Sequence, residues 1–265
     1  MGNDRAVLIC HNSEHLNRFA LPRWIASFLD LTAIIEVREP AGRLHKRIRR
    51  EFKRTGALRF VDVLAFRAYS RLVLRRTDRA WEQQQLHSLE GRYPEIPSST
   101  RILVTSSPNS SEAEQLLRDI SPDLIIARCK SILAPRIFKQ ARIGTFVMHP
   151  GICPEYRNAH GCFWAIAQRD LEKVGMTLLK IDEGVDTGPV FGYFNAQFDE
   201  RRDTHNIIQN KVVFENLDVL RTKFEEILAG KAEVIDTRGR TSRAWGQPWL
   251  TSYIRWKQAA RATKR

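Results

Sequence analysis

His149 and Asp186 are the two residues of this chain whose types and surroundings most invite acid–base chemistry. His149 ends the apolar run "TFVMH" and is followed at once by Pro150 and Gly151; Asp186 lies in "DEGVDTG", just after "GMTLLKID". An imidazole gains and loses a proton near neutral pH, and a carboxylate beside it fixes the tautomer and stabilises the cation. Such a pair can move a proton on or off a reacting group. The two residues are distant in sequence. A strand–helix–strand unit between them would place both strand ends at one edge of a sheet. A capping histidine and an ordinary Asp-rich turn carry the same residue types, so spacing alone leaves both readings open.

The elements that must position the pair emerge from hydrophobic patterning. Short apolar runs of the kind that fill a parallel sheet occur at 5–10, 32–39 (closed by Pro40), 101–105, 122–128, 144–149, 175–182 and 189–198. Helices are expected over 15–30, 43–79 with a break near Gly56, 111–120, 159–170 and 204–230, with a short one in the Trp-rich tail. This rhythm predicts an α/β, Rossmann-like, doubly wound and mostly parallel sheet. A basic helical insertion falls at about 40–90, and the chain divides into an α/β domain over 1–200 and a helical C-terminal extension over 201–265. In such sheets ligands bind beyond the carboxyl ends of the strands. Several of those ends carry polar or reactive residues: His11 and Asn12, Arg128 to Ser131, His149, and Asp182 to Asp186.

Composition bounds the rest. The 265 residues can bury one substantial core, and 43% hydrophobic content with six Trp and thirteen Phe excludes a disordered chain. No apolar run approaches the roughly 20 residues of a membrane span. The opening "MGNDRAVLICHN" enters a strand without a signal-peptide core, and Cys10, Cys129, Cys153 and Cys162 lack the paired spacing of a zinc site or disulfide framework. A reduced, cytoplasmic protein with no bound metal is expected. The net charge of +13 is uneven, with thirteen Lys or Arg between Arg43 and Arg79 against Glu51, Asp62 and Asp78. That field attracts nucleotides, phosphorylated substrates, acidic lipid or nucleic acid; it also suits a merely solvated helix face.

Taken together, "MHPGICPEYR" and "GMTLLKIDEGVDTGPVF" closely resemble the folate-dependent formyltransferases. That family includes glycinamide-ribonucleotide transformylase, methionyl-tRNA formyltransferase and the amino-sugar N-formyltransferases. Its pattern is a strand ending Asn-x-His-Pro/Gly-x-Leu-Leu-Pro, then a loop x-x-Gly-x-Asp-x-Gly. The resemblance is strong over 120–195 and weaker earlier, and "ARCKSILAPRIF" is similar to the family's folate-lining segment. It implies an enzyme that uses 10-formyltetrahydrofolate as formyl donor, a primary amine as acceptor, and no metal. It also implies His149 as catalytic histidine and Asp186 as catalytic aspartate. Asp182, Glu183, Gly184 and Val185 would meet the pteridine, and Cys129, Lys130, Ser131 and Leu133 would line the other side of the folate pocket. In that chemistry a neutral amine attacks the formyl carbon. His149 shuttles the proton or, as a cation, stabilises the oxyanion, while Asp186 orients it.

One position departs from the pattern. Two residues before the histidine the family carries an asparagine whose amide helps hold the oxyanion; here it is Val147. Losing one such donor typically costs about 10²–10³ in rate. Replacement donors are Asn158, Arg128, Lys130 and the main-chain N–H of Gly151, and Asn158 is a third catalytic candidate. The valine keeps open an impaired or non-catalytic folate- or nucleotide-binding relative, and a formyl-folate hydrolase. The segment after residue 200 is short and helical, unlike the β-barrel of the tRNA enzyme, which argues against tRNA. The purine enzyme lacks an insertion such as 40–90. "CHNSEH" (10–15) has no glycine-rich phosphate signature. The expected acceptor is therefore a small, anionic amine such as an amino-sugar nucleotide, and the expected assembly a homodimer. The amphipathic stretch 59–76 is expected either to pack over the acceptor site or a dimer partner, or to rest on an anionic membrane surface.

Overall fold

The computed structural model describes the backbone of residues 4–38 and 43–262, and the side chains of 4–38 and 51–262; Glu39 and Pro40 lie outside these residues. Its strands are β1 (Arg5–His11), β2 (Asp30–Val37), β3 (Arg101–Thr105), β4 (Leu124–Arg128), β5 (Gly144–His149), β6 (Arg157–Asn158), β7 (Gly175–Lys180), β8 (Val190–Asn195) and β9 (Ala244–Trp245). Seven of them form one sheet in the order β3-β2-β1-β4-β5-β7-β8, and β6 and β9 pair separately. The first five sheet strands are parallel, and the order reverses between β1 and β4. That reversal opens a crevice at the carboxyl ends, where an open α/β sheet takes ligands.

The expected parallel return after β5 is not what forms. β7 runs antiparallel to β5, with His149 opposite Thr177 and Phe146 opposite Lys180. The intervening helix, α6 (Gly161–Ala167), has seven residues. The connection stays folded at the His149 end, where Thr177 at the start of β7 donates to Gly151 O and accepts from Cys153 N–H, so the chain re-enters the sheet there. β7 therefore finishes at the opposite end from His149. The 181–189 loop must fold back across the sheet face to reach it.

Strand alternation assigns the two faces. Val7, Ile9, Ala33, Ile35, Ile125 and Ala127 pack against α4 (Ser111–Ile120) and α5 (Pro135–Phe138). Ser110 caps α4 by accepting from Ala113 N–H. The opposite face carries Ala6, Leu8, Ile126, Phe146, Met148 and Leu178 into the larger core. That core is completed by α1 (Leu21–Ala26), α6, α7 (His205–Phe214), α8 (Leu217–Leu228) and α9 (Leu250–Ala262). The expected 204–230 helix is thus two helices. The Asn216 side chain donates to both Val212 O and Asn195 O at the break.

The basic insertion is a long helical arm: α2 (Arg43–Tyr69), kinked at Gly56 with φ +75°, a π-helical turn Ser70–Leu74, and α3 (Arg75–Arg92). A second π-helical turn, Leu16–Ala20, precedes α1. Val63 and Phe66 of α2 are buried, Phe66 against Tyr253 of α9, and Thr251 N–H donates to Asp62.

Candidate active site

Val147 and His149 share the sheet face covered by α5, and His149 is almost fully buried at the end of β5. The chain then turns so tightly that a Cβ on Gly151 would lie 2.9 Å from His149 Nε2 and 2.5 Å from Tyr156 O. Only glycine fits there. The turn brings Tyr156 O within 3.0 Å of His149 Nε2. A carbonyl can only accept, so Nε2 carries the proton and the neutral ring presents its lone pair at Nδ1. Buried Thr177 ties β7 to the turn by donating to Gly151 O and accepting from Cys153 N–H.

Asp186 is the group that faces Nδ1: its Oδ2 lies 3.6 Å away. The 181–189 loop is shaped for this by Asp182, which accepts from Gly184 N–H and Thr187 Oγ1. A Cβ on Gly184 would meet Thr187 Oγ1 at 2.0 Å. Glu183 is ion-paired to Lys139 at the end of α5, and Val185 O accepts from Arg157. Asp186 sits at φ +51° and accepts the main-chain N–H of Asn158, itself at φ +75°. His160 comes next at φ +56°. These three left-handed non-glycine residues cluster around one carboxylate and one imidazole, where backbone strain commonly marks function.

A second segment clamps the turn from outside. β6 and β9 pair Arg157 with Ala244 and Asn158 with Trp245. The Arg240 guanidinium forks onto Glu155, with 3.0 and 2.7 Å contacts, and reaches the Tyr193 hydroxyl, which donates to Cys153 O. Trp245 donates to Glu155 O and stacks on Tyr156 and Trp164. The Asn158 side-chain amide is engaged with Trp245 O. Asn158 therefore meets the His–Asp pair through its backbone.

At the crevice between β1 and β4, His11 is buried, with Nδ1 3.3 Å from Val37 O and Nε2 accepting from Lys130 N–H. Lys130 Nζ pairs with Glu14, and Glu14 accepts from Asn17, which in turn accepts from Arg128. Lys130 and Arg128 hold the Glu14 carboxyl below its usual range against the opposing effect of burial. Arg128 points to the face opposite Val147 and donates to Met148 O. Leu133 is buried in the α4–α5 core and Cys129 packs beside it, its thiol pushed up to about 11 by burial; Ser131 offers its carbonyl to that thiol. Ile132, 69% exposed, and Val185, 38% exposed, are the apolar side chains that these two loops leave open.

Val147 packs with Cys153, Leu179, Val190 and Tyr193 and offers no donor. His160, which Gln209 and Gln247 approach with their side chains, has no hydrogen-bond partner at Nδ1 among the described residues. Burial, then Lys130 and Arg67, bring its pKa down to about 4. Sequence patterning does not reveal the β6–β9 clamp or Arg240, since a lone Arg in a polar tail carries no local signal for such contacts. "NAH" at 158–160 does draw attention, because it repeats the Asn-x-His spacing and either side chain is expected to be able to face a substrate.

A family model described as formyl transferase matches residues 50–222. The methionyl-tRNA formyltransferase of Chlorobium limicola is 39% identical over 85 residues, which cover 32% of this chain and 26% of that protein. The chain spans about half or less of the length of the first curated relatives it matches. Among solved structures, the phosphoribosylglycinamide formyltransferase from Anaplasma phagocytophilum superposes with a TM-score of 0.55 at 14% identity, covering 93% of this chain and 100% of that one. A sugar N-formyltransferase from a Shewanella species gives 0.51 at 13%, covering 91% and 76%. At these identities the likeness is one of fold.

Proposed function

The chain belongs to the formyl transferase family, and on that premise we propose that it moves a formyl group from 10-formyltetrahydrofolate to the primary amine of a small anionic acceptor, an amino sugar carried on a nucleotide being the class its chemistry suits. The observation that carries this reading is the His149–Asp186 pair: Nε2 is committed to Tyr156 O and Nδ1 is left open toward the carboxylate at 3.6 Å. The exposed apolar side chains of Ile132 and Val185 suit a flat, partly apolar ring system, and thus fit the proposed donor.

When bound, the donor supplies an activated formyl carbon. The acceptor nitrogen forms a bond to that carbon, the bond to the folate nitrogen breaks, and one proton passes from the amine to that leaving nitrogen. His149 Nδ1 is the base that takes it up. The resulting imidazolium keeps its Nε2–H on Tyr156 O and is stabilised by the Asp186 carboxylate 3.6 Å from Nδ1. Of the candidate donors for the place of an asparagine at 147, Arg128 faces the other side of the sheet. Gly151 N–H bonds His149 O, Asn158 serves Trp245, and Lys130 pairs with Glu14. That leaves the imidazolium as the positive group assigned to stabilise the developing oxyanion.

The acceptor reading draws on three features: the excess of positive charge, the unpartnered Nδ1 of His160 near Lys130 and Arg67, and the sugar N-formyltransferase fold. The protein would be assayed with 10-formyltetrahydrofolate against nucleotide-linked amino sugars, free amino sugars and methionyl-tRNA while tetrahydrofolate release is monitored. Turnover with a nucleotide-linked amine, lost in His149→Ala, is the expected result. Formylation of methionyl-tRNA alone would overturn the acceptor class. Binding of a folate analogue without turnover on any amine would favour the non-catalytic reading that Val147 and its apolar neighbours suggest.

A further inference from the structure

The helical arm presents an outward face that the rest of the chain does not cover. Leu58, Val61, Leu64 and Leu72 recur at helical spacing across α2 and the π-helical turn, with Val73 beside them; Leu58 is 91% and Leu72 86% exposed. The opposite side of α2 is already used, by buried Val63 and Phe66 against the core and by Asp62 on Thr251. The apolar stripe is therefore not a core face awaiting closure by this chain. Beyond it on the arm come Arg71, Arg75, Arg76 and Arg79, exposed arginines that form no ion pair among the described residues, although Arg71, Arg75 and Arg79 line an open cavity with Asp78, Glu82 and Asn206. At its other end come Lys53 and Arg54 and the basic run that begins at Arg43.

We infer that this face docks the protein on an anionic lipid surface, with the leucines entering the headgroup–acyl boundary and the arginines pairing with lipid phosphates. Apolar side chains bordered by arginine are the composition of a helix that lies in a membrane interface. No described helix is long and apolar enough to cross a membrane, so the association is peripheral. Charge decides against a second copy of this chain as the occupant: a self-complementary contact on this face would set Arg71, Arg75, Arg76 and Arg79 near their own counterparts. An anionic surface neutralises them instead. This inference does not depend on the chemistry proposed at His149.

The test is co-sedimentation of the full chain with phosphatidylcholine vesicles, with and without a minority of phosphatidylserine, at low and high salt. Binding is expected only to the vesicles containing phosphatidylserine and is expected to weaken with salt. Arg75→Gln and Arg79→Gln should each lower partitioning about fivefold. Leu58→Ser with Leu72→Ser should lower it at least about tenfold. All four residues are exposed, and far-ultraviolet circular dichroism would check that the fold is retained. Absence of sedimentation at low salt would overturn the inference, as would binding that the paired leucine changes leave untouched. A concentration-dependent dimer abolished by the leucine changes, without vesicle binding, would assign the face to a second copy and also overturn it.

Discussion

The main-chain N–H of Asn158 donates to Oδ2 of Asp186 across 2.7 Å, and the same oxygen lies 3.6 Å from His149 Nδ1. The carboxylate is thus aimed by backbone geometry, through two residues in left-handed conformations. Asp186→Asn keeps the shape and removes the charge that stabilises a protonated imidazole. It is expected to lower kcat by about 10²–10⁴, with the dissociation constant of a folate analogue little changed. His149→Ala should fall at least as far, and the double variant little further, because the two groups act as a unit.

Val147 separates stability from chemistry. Its neighbours Cys153, Leu179, Val190 and Tyr193 give an amide little to bond with in the resting protein. Val147→Asn is expected to cost about 1–2 kcal/mol in stability, a fall of several degrees in Tm, while turnover is retained or rises. Loss of turnover at unchanged Tm would contradict this account of the position.

Arg240 braces the turn after His149 from a distant segment of the chain. Arg240→Ala removes the fork on Glu155, leaving that carboxylate only the longer contact to Lys173, and frees the Tyr193 hydroxyl. A decrease of about 1–3 kcal/mol in unfolding free energy is expected, with kcat lowered more than donor affinity. Arg240→Lys should restore only part of both, because an ammonium cannot fork onto a carboxylate.

Acid should destabilise the protein through buried histidines. Burial brings His160 down to about 4, and burial, then His160 and Lys257, hold His205 well below its ordinary value. The unfolded chain takes up protons near pH 6.5 that the folded state refuses. It therefore binds more protons below that pH, and stability falls as pH drops from about 6.5 toward 4. His205 lies among Phe66, Phe163 and Tyr253. His205→Phe should shrink the Tm difference between about pH 7 and pH 5; an unchanged difference would remove His205 from the explanation.

Local pattern makes the alternating elements and the His149 and Asp186 stretches readable, because strand ends, glycine turns and apolar runs are short-range signals. The route between them is not readable in the same way. The segment 150–174 is long enough for a return in either direction, and what ties β7 to the His149 end, Thr177 on Gly151 and Cys153, is a contact between residues distant in sequence. The helix through 204–230 looks continuous in sequence because Asn216 interrupts it by a side-chain contact to Asn195, in another element. Asn158 draws attention as an amide, yet its backbone N–H meets the carboxylate. The clamp by Arg240 and Trp245 spans residues far apart in the chain, and no window of neighbouring residues contains it.

That clamp orders events during synthesis. The turn after His149 leaves the ribosome well before the strand β9 that pairs with it. Until Arg240 and Trp245 emerge, Glu155 has only Lys173 as a cation and Tyr156 lacks its stacking partner. A nascent chain would therefore hold a nearly complete sheet while the turn after His149 waits for the β9 segment to close over it.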